Sequence, residues 1–224
     1  MNIVDCVQGD ANWFKWRLGC VGASRVADVI AKYKDKKKQN EEMACRRALR
    51  LELACEVLTQ RTSEKFVSAW MERGTELEPL ARAEYELKNG VYVQQVGFVL
   101  HPTIKMAGCS PDGLVGEDGL MEIKCPKVET HLQYILDDKV PDDYLPQMLW
   151  QLDTCERQWN DFVSYAPELP DGLSLFVKRL ERTPEVEAVI QAMRLEVEQF
   201  LREVDEMLVR LKQQRKEALA QTAT

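Results

Sequence analysis

The chain has 224 residues, 30 of them Lys or Arg and 37 Asp or Glu, for a net charge of −7. With 45% hydrophobic and 30% charged residues it has a globular composition, which excludes a disordered chain, and its length suits one domain over residues 1–224. No apolar run is long enough to span a bilayer, and the opening MNIVDCVQGD carries neither a basic region nor a hydrophobic stretch, so a cytoplasmic protein is expected.

The seven cysteines are widely spaced and form no CxxC pair, and there are only two histidines, so neither a disulfide framework, a zinc site nor a histidine-rich metal site is expected. The acidic balance leans against a nucleic-acid partner. Any phosphate-facing surface must therefore be local.

In chain order, Trp13–Leu18 (WFKWRL) is an aromatic and basic segment. Gly19–Ser24 reads as a turn into a helix, with Ser24 as N-cap and Val26, Val29 and Ile30 at helical spacing. Lys34–Lys38 reads as a charged loop. Helices are expected over 41–59 and about 64–88. Residues 91–100 (VYVQQVGFVL) read as one strand, followed by short strands around 104–109 and 112–115 and another over 119–125. Helices at 128–137 and 143–156, then strands at 161–166 and 173–180, complete a core of about 8–180. Thr183 and Pro184 open a long helix, about 184–216. Its apolar residues Val186, Ile190, Met193, Val197, Phe200, Val204, Met207 and Leu211 alternate steps of four and three. That pattern packs along the domain or pairs with another chain, and a single helix of this length favours the first. The order of elements predicts an α/β fold, a mixed central sheet flanked by helices.

Ser110-Pro111-Asp112-Gly113 followed by Glu122-Ile123-Lys124 carries the chemistry. Side chains alternate along a strand, so Leu120, Glu122 and Lys124 share one face. A charged pair inside an apolar strand is costly to bury without compensation. A divalent cation is one compensation, and Asp112, at a turn-flanked strand start, can converge on the same point. Hard cations take carboxylate and carbonyl oxygens. The candidate ligands are Asp112, Glu122 and the carbonyl of Ile123, with Lys124 orienting a water or stabilising negative charge. A surface Glu122–Lys124 salt bridge beside an Asp-Gly turn is the plainer alternative.

SPDGLVGEDGLMEIKCP resembles the active-site segment of the phage lambda exonuclease group, the viral alkaline exonucleases of the PD-(D/E)xK nuclease superfamily. WRLGCVGASRVADVI (16–30) is similar to the group's RLG…AS segment, WMERGTELEPLARAEYE (70–86) to its G-x-x-x-E helix, and Tyr144 and Gln147 in DYLPQMLWQ to its Y-x-x-Q segment. The resemblance implies a restriction-endonuclease-like core and a Mg²⁺-dependent enzyme, Mn²⁺ substituting, with one or two ions per site. It implies digestion of one strand of duplex DNA from the 5′ end, leaving a 3′ single strand. A ring-shaped homotrimer and a single-strand annealing partner in recombination are implied as well. Asp112, Glu122 and Lys124 take the catalytic positions. Glu78 takes that of a further carboxylate near the metal, against a capping box with Thr75 as the plainer reading. Gln147 takes a polar active-site position. Arg17 and Ser24 take phosphate-contacting positions, and Trp16 is a stacking candidate. Two departures stand out. Leu149 occupies the second glutamine of Y-x-x-Q-x-Q, and no arginine follows Lys124 over Lys127–His131, which leaves Lys127 or His131 to meet the 5′ phosphate. Another endonuclease or resolvase of the same superfamily, or a non-catalytic DNA-binding assembly protein, remain alternatives.

Overall fold

The computed structural model describes residues 1–33, 35, 41–62 and 69–222, with the side chains of Ala69–Met71 and Thr222 left aside. Apart from Asp35, the Lys34–Lys38 run lies outside the described residues.

The strands form two sheets. One has the order β1-β4-β5-β2, from Asn2–Val4 (β1), Val21–Gly22 (β2), Phe98–Leu100 (β4) and Ala107–Cys109 (β5). The other has the order β3-β6-β7-β8-β9, from Val93–Gln94 (β3), Gly113–Val115 (β6), Gly119–Lys124 (β7), Trp159–Tyr165 (β8) and Leu175–Glu181 (β9). Both are mixed, as expected: β2 runs parallel to β5 and β7 to β8, and the remaining pairs are antiparallel. The five-stranded sheet is the expected mixed sheet, and the chain forms a second, four-stranded sheet as well. The predicted strand over 91–100 breaks at Gln95–Gly97 and supplies one strand to each. Gly97 explains the break, because a Cβ there would stand 2.0 Å from the Cys6 carbonyl oxygen. The chain bends where the N-terminal segment crosses it.

The described residues form seven α-helices: Ala11–Arg17 (α1), Val26–Ile30 (α2), Ala44–Thr59 (α3), Ala69–Asn89 (α4), Val128–Asp137 (α5), Leu145–Thr154 (α6) and Pro184–Thr222 (α7). Ser24 is not an N-cap. It lies exposed within a 3-10 turn, Ala23–Arg25, whose cap is Gly22, and α2 begins without a side-chain cap.

Two apolar cores sandwich the five-stranded sheet. Met121, Ile123 and Val163 face α4 through Ala81 and Tyr85. Leu120 faces the other way, into the main core with Trp150 and Leu152 of α6. The alternation expected of β7 is therefore met, and it sends Glu122 and Lys124 toward α6. Helix α7 spans 39 residues, about 58 Å at 1.5 Å per residue. It packs on α2, α3 and α6 within the chain. Its buried seam is Ile190, Met193, Val197, Phe200, Val204 and Leu208. The seam ends at Leu208, while Leu211 is 39% exposed, and helix continues past the expected end near 216 to Thr222.

Candidate active site

Antiparallel pairing of β6 with β7 sets Gly113 opposite Met121, so the next step of the register brings Asp112 level with Glu122. Asp112 is held there by the chain itself: its Oδ2 accepts from the backbone N–H of Ile123 at 2.7 Å. Gln8 and Trp13 hold the preceding turn. Gln8 donates to the carbonyl of Pro111 at 3.0 Å, and the Trp13 indole N–H donates to Ser110 Oγ at 2.8 Å. Glu122 is 1% exposed and is met by three donors. Lys124 Nζ and Gln147 Nε2 both reach Oε1, and Gln151 Nε2 reaches Oε2. The ammonium of Lys124 also stands 5.1 Å above the ring of Tyr144. Such a carboxylate, desolvated and saturated with donors, is what a buried charge requires.

Negative charge is crowded at this point. The Asp112 carboxyl is held well above the usual aspartate range, first by burial and next by the charge of Glu122, with Lys124 pulling the other way. Glu78 of α4 is raised as well, first by burial, against the pull of Arg82, with Glu122 adding to the rise. Burial works against the charge on Lys124, yet Glu122 and Asp112 override it and raise the ammonium above its ordinary value. Three carboxyl groups thus share one field with one lysine.

Glu78 is half-buried, and its Oε1 accepts from Arg82 Nη2 at 2.6 Å. Both Thr75 and Glu78 lie well inside α4, so the capping-box alternative fails on position. The helix continues through Pro79. Glu78 lines a groove of about 830 Å³ together with Gln8, Trp13, Thr75 and Arg82.

Among the described residues, no group of three His, Cys, Asp or Glu side chains is spaced to hold a metal ion. The donor chemistry nevertheless fits a hard cation. Asp112 and Glu122 offer oxygens side by side, Glu78 is close enough to feel their charge, and the crowding that raises Asp112 is what a divalent ion relieves.

The phosphate candidates separate. Arg17 ends α1, half-buried, with its guanidinium 4.0 Å above the Trp13 ring. Its Nη2 lies 3.8 Å from where a Cβ would stand on Gly22, two residues before Ser24. Arg17, Trp13, Ser110 and Asp112 therefore form a continuous line of contacts and chain. Trp16 is 46% exposed on α1, and Lys127 is exposed at the N-cap position of α5. His131 is a correction. It is fully buried, with Nδ1 2.7 Å from Ser164 Oγ and Nε2 2.8 Å from the Leu173 carbonyl. Both ring nitrogens serve the fold, and neither is left for a phosphate.

Sequence reasoning missed three residues. Gln151 is fully buried on Glu122, one helical turn beyond Gln147. Leu149, where the second glutamine was sought, packs into the core, so spacing by four rather than two was the available signal. Asn160 backs Gln151 with a 2.8 Å bond to its Oε1. Arg73 of α4 reaches the carbonyls of Cys125 and Pro126 just past Lys124. It comes from a distant segment that no local spacing reveals.

A family profile described as a YqaJ-like viral recombinase domain matches residues 12–158. Among solved structures, the chain is similar to an alkaline exonuclease (LHK-Exo) from Laribacter hongkongensis, at 42% identity and a TM-score of 0.84, over 93% of this chain and 100% of that one. The same exonuclease in complex with dAMP matches with a TM-score of 0.81. A phage-related exonuclease from Haemophilus somnus 129PT, 13% identical, shares the fold with a TM-score of 0.60 over 86% of this chain and 96% of that one. No curated protein sequence matches. With two sheets, a long C-terminal helix and the profile match over residues 12–158, the chain belongs to the family of YqaJ-like viral recombinase domains, of the lambda exonuclease type.

Proposed function

We propose that this protein is a Mg²⁺-dependent 5′→3′ exonuclease that digests one strand of duplex DNA to mononucleotides and leaves a 3′ single strand for annealing. The observation that carries the reading is the placement of Asp112, one residue before β6 and bonded to the Ile123 N–H, level with Glu122 of β7, with Lys124 on the face of Glu122. The 42% identity to an alkaline exonuclease over nearly the whole chain supports it.

Asp112, Glu122 and the carbonyl of Ile123 would hold Mg²⁺, or Mn²⁺ in its place, with Glu78 beside them, as one ion or two. A cation there supplies polarisation of the phosphoryl group and a water of lowered pKa. The chain does the rest. Asp112 is kept in place by the Ile123 N–H, so its oxygens need no reorganisation. Lys124 carries a fixed positive charge beside the reacting phosphate, where charge develops. Gln147 orients the Oε1 side of Glu122. Arg17, with Ser24, Trp16 and Lys127, would receive the 5′ phosphate and its neighbours. An always-charged planar donor suits that anion. The overall charge of −7 confines attraction for DNA to such local positions. The working form is a homotrimer around the duplex, acting with a single-strand annealing protein in the bacterial cytoplasm.

Glu122→Ala and Asp112→Ala tested on linear duplex with Mg²⁺ check the assignment. Both should lose digestion while staying folded. Retention of activity in either would overturn it.

A further inference from the structure

We infer that Gln151 and Asn160 form a positioning relay that fixes Glu122 for a divalent cation; this rests on the reading of Glu122 as a metal ligand. The relay lies wholly inside the protein. Glu122 is 1% exposed, and Gln151 and Asn160 are 0% exposed. It crosses from β7 to α6 to β8: Glu122 Oε2 accepts from Gln151 Nε2, and Gln151 Oε1 accepts from Asn160 Nδ2 at 2.8 Å. Asn160 Nδ2 also lies 3.4 Å from the Met148 carbonyl.

Both bonds run in one direction, from Asn160 to Gln151 to Glu122. An amide has one accepting end and one donating end. Asn160 presents its donor, so Gln151 must turn its oxygen toward Asn160 and its N–H₂ toward Glu122. The carboxylate then meets a donor on Oε2 whatever happens at Oε1. Oε1 is shared by Lys124 and Gln147, both on the half-buried side of the site. The relay therefore pins the inner oxygen and leaves the outer one as the face that exchanges partners. A residue serving packing alone would not need this polarity. Groups that orient a metal-ligating carboxylate in this way typically contribute about 10- to 100-fold in metal affinity or activity.

The test measures Mn²⁺ binding to the full-length protein without DNA, by depletion of the free-ion EPR signal, alongside thermal unfolding and steady-state kinetics. Gln151→Met keeps the length and removes the donor. Asn160→Leu keeps the volume and takes away the donor that faces the Gln151 oxygen, so the Gln151 amide loses its fixed orientation toward Glu122. Both variants should bind Mn²⁺ about 10- to 100-fold more weakly and lose kcat, with KM for DNA ends near wild type. Weakening in Asn160→Leu is the discriminating result, because the volume is kept and the replaced side chain is bonded to Gln151 rather than to Glu122. Folded variants that bind Mn²⁺ as wild type does would overturn the relay. Glu122→Ala separates the two levels: loss of Mn²⁺ binding there, with none in the relay variants, sinks only the relay. Wild-type Mn²⁺ binding in Glu122→Ala sinks the ligand assignment beneath it.

Discussion

Replacing Lys124 by Met should affect stability and catalysis differently, and the structure gives the scale. The ammonium lies on Glu122 Oε1 and within the field of Asp112. At about 4 Å and an effective dielectric near 20, each such charge pair is worth about 4 kcal/mol before desolvation. Removing one partner of a buried pair costs about 3–5 kcal/mol. The Lys124 side chain is 25% exposed, which places the loss at the lower end of that range. Without divalent metal, urea unfolding of the variant should therefore show a loss of about 3 kcal/mol. Mg²⁺ at a hundred times its dissociation constant stabilises by about 2.7 kcal/mol through linkage. In the variant the ion also replaces the missing charge, so the gap to wild type should narrow in Mg²⁺. Activity should not recover, because the lysine acts on the transition state, and kcat should fall about 10²- to 10³-fold. The raised lysine is charged throughout pH 6–9. Its stabilisation is complete below its unfolded pKa and lost only as pH rises through the higher folded value, so titration of the lysine itself should change neither effect across that window. Equal stabilities without metal, or a gap unchanged by Mg²⁺, would refute this account of the site's electrostatics.

Other perturbations test the frame around the site. Asp153 at the end of α6 is fully buried and accepts from Arg194 Nε at 2.7 Å and His101 Nε2 at 3.0 Å. Burial pushes its carboxyl up, but those donors win and hold it below the ordinary value. Its stabilisation is thus present above the unfolded value and lost as pH falls through the folded one. Asp153→Asn should cost about 2–3 kcal/mol at neutral pH, less than a fully buried pair because Arg194 is 28% exposed, and should flatten the acid limb of stability against pH in urea titrations. Phe200→Ala empties the seam between α7 and the core and should cost about 3–5 kcal/mol by the same assay, while Leu195→Ala, 67% exposed, should stay within about 0.5 kcal/mol. Gly97→Ala drives a Cβ into the Cys6 backbone, so calorimetry should show a loss of about 1–3 kcal/mol, and the displaced Gln8 should release the Asp112 turn and lower kcat.

Much of the site was legible because β7 follows the simplest rule of strands. Alternation alone put Glu122 and Lys124 on one face, and the Pro-Asp-Gly turn put Asp112 within reach. The long helix was legible for a similar reason, since its period was unbroken from Val186 to Val204. What was missed depended on tertiary context. The 91–100 segment has strand propensity throughout, but Gly97 and the crossing N-terminal chain divide it between two sheets. Ser24 has a capping side chain, yet the backbone there winds as a 3-10 turn and offers no α-helical N-terminus to cap. His131 looked like a cation near phosphate by sequence distance from Lys124. The amphipathic α5 turned it inward onto Ser164 and Leu173 instead. Gln151 was overlooked because the glutamine was sought two residues after Gln147, at the position that faces the core.

Digestion of linear duplex DNA with Mg²⁺, comparing 5′-phosphate ends, 5′-hydroxyl ends and a closed circle, tests the central claim most directly. The account predicts mononucleotides from the linear forms alone, faster from phosphorylated ends, with no product when Glu122 is replaced by Ala. Cutting of the closed circle, or digestion that survives the loss of Glu122, would contradict it.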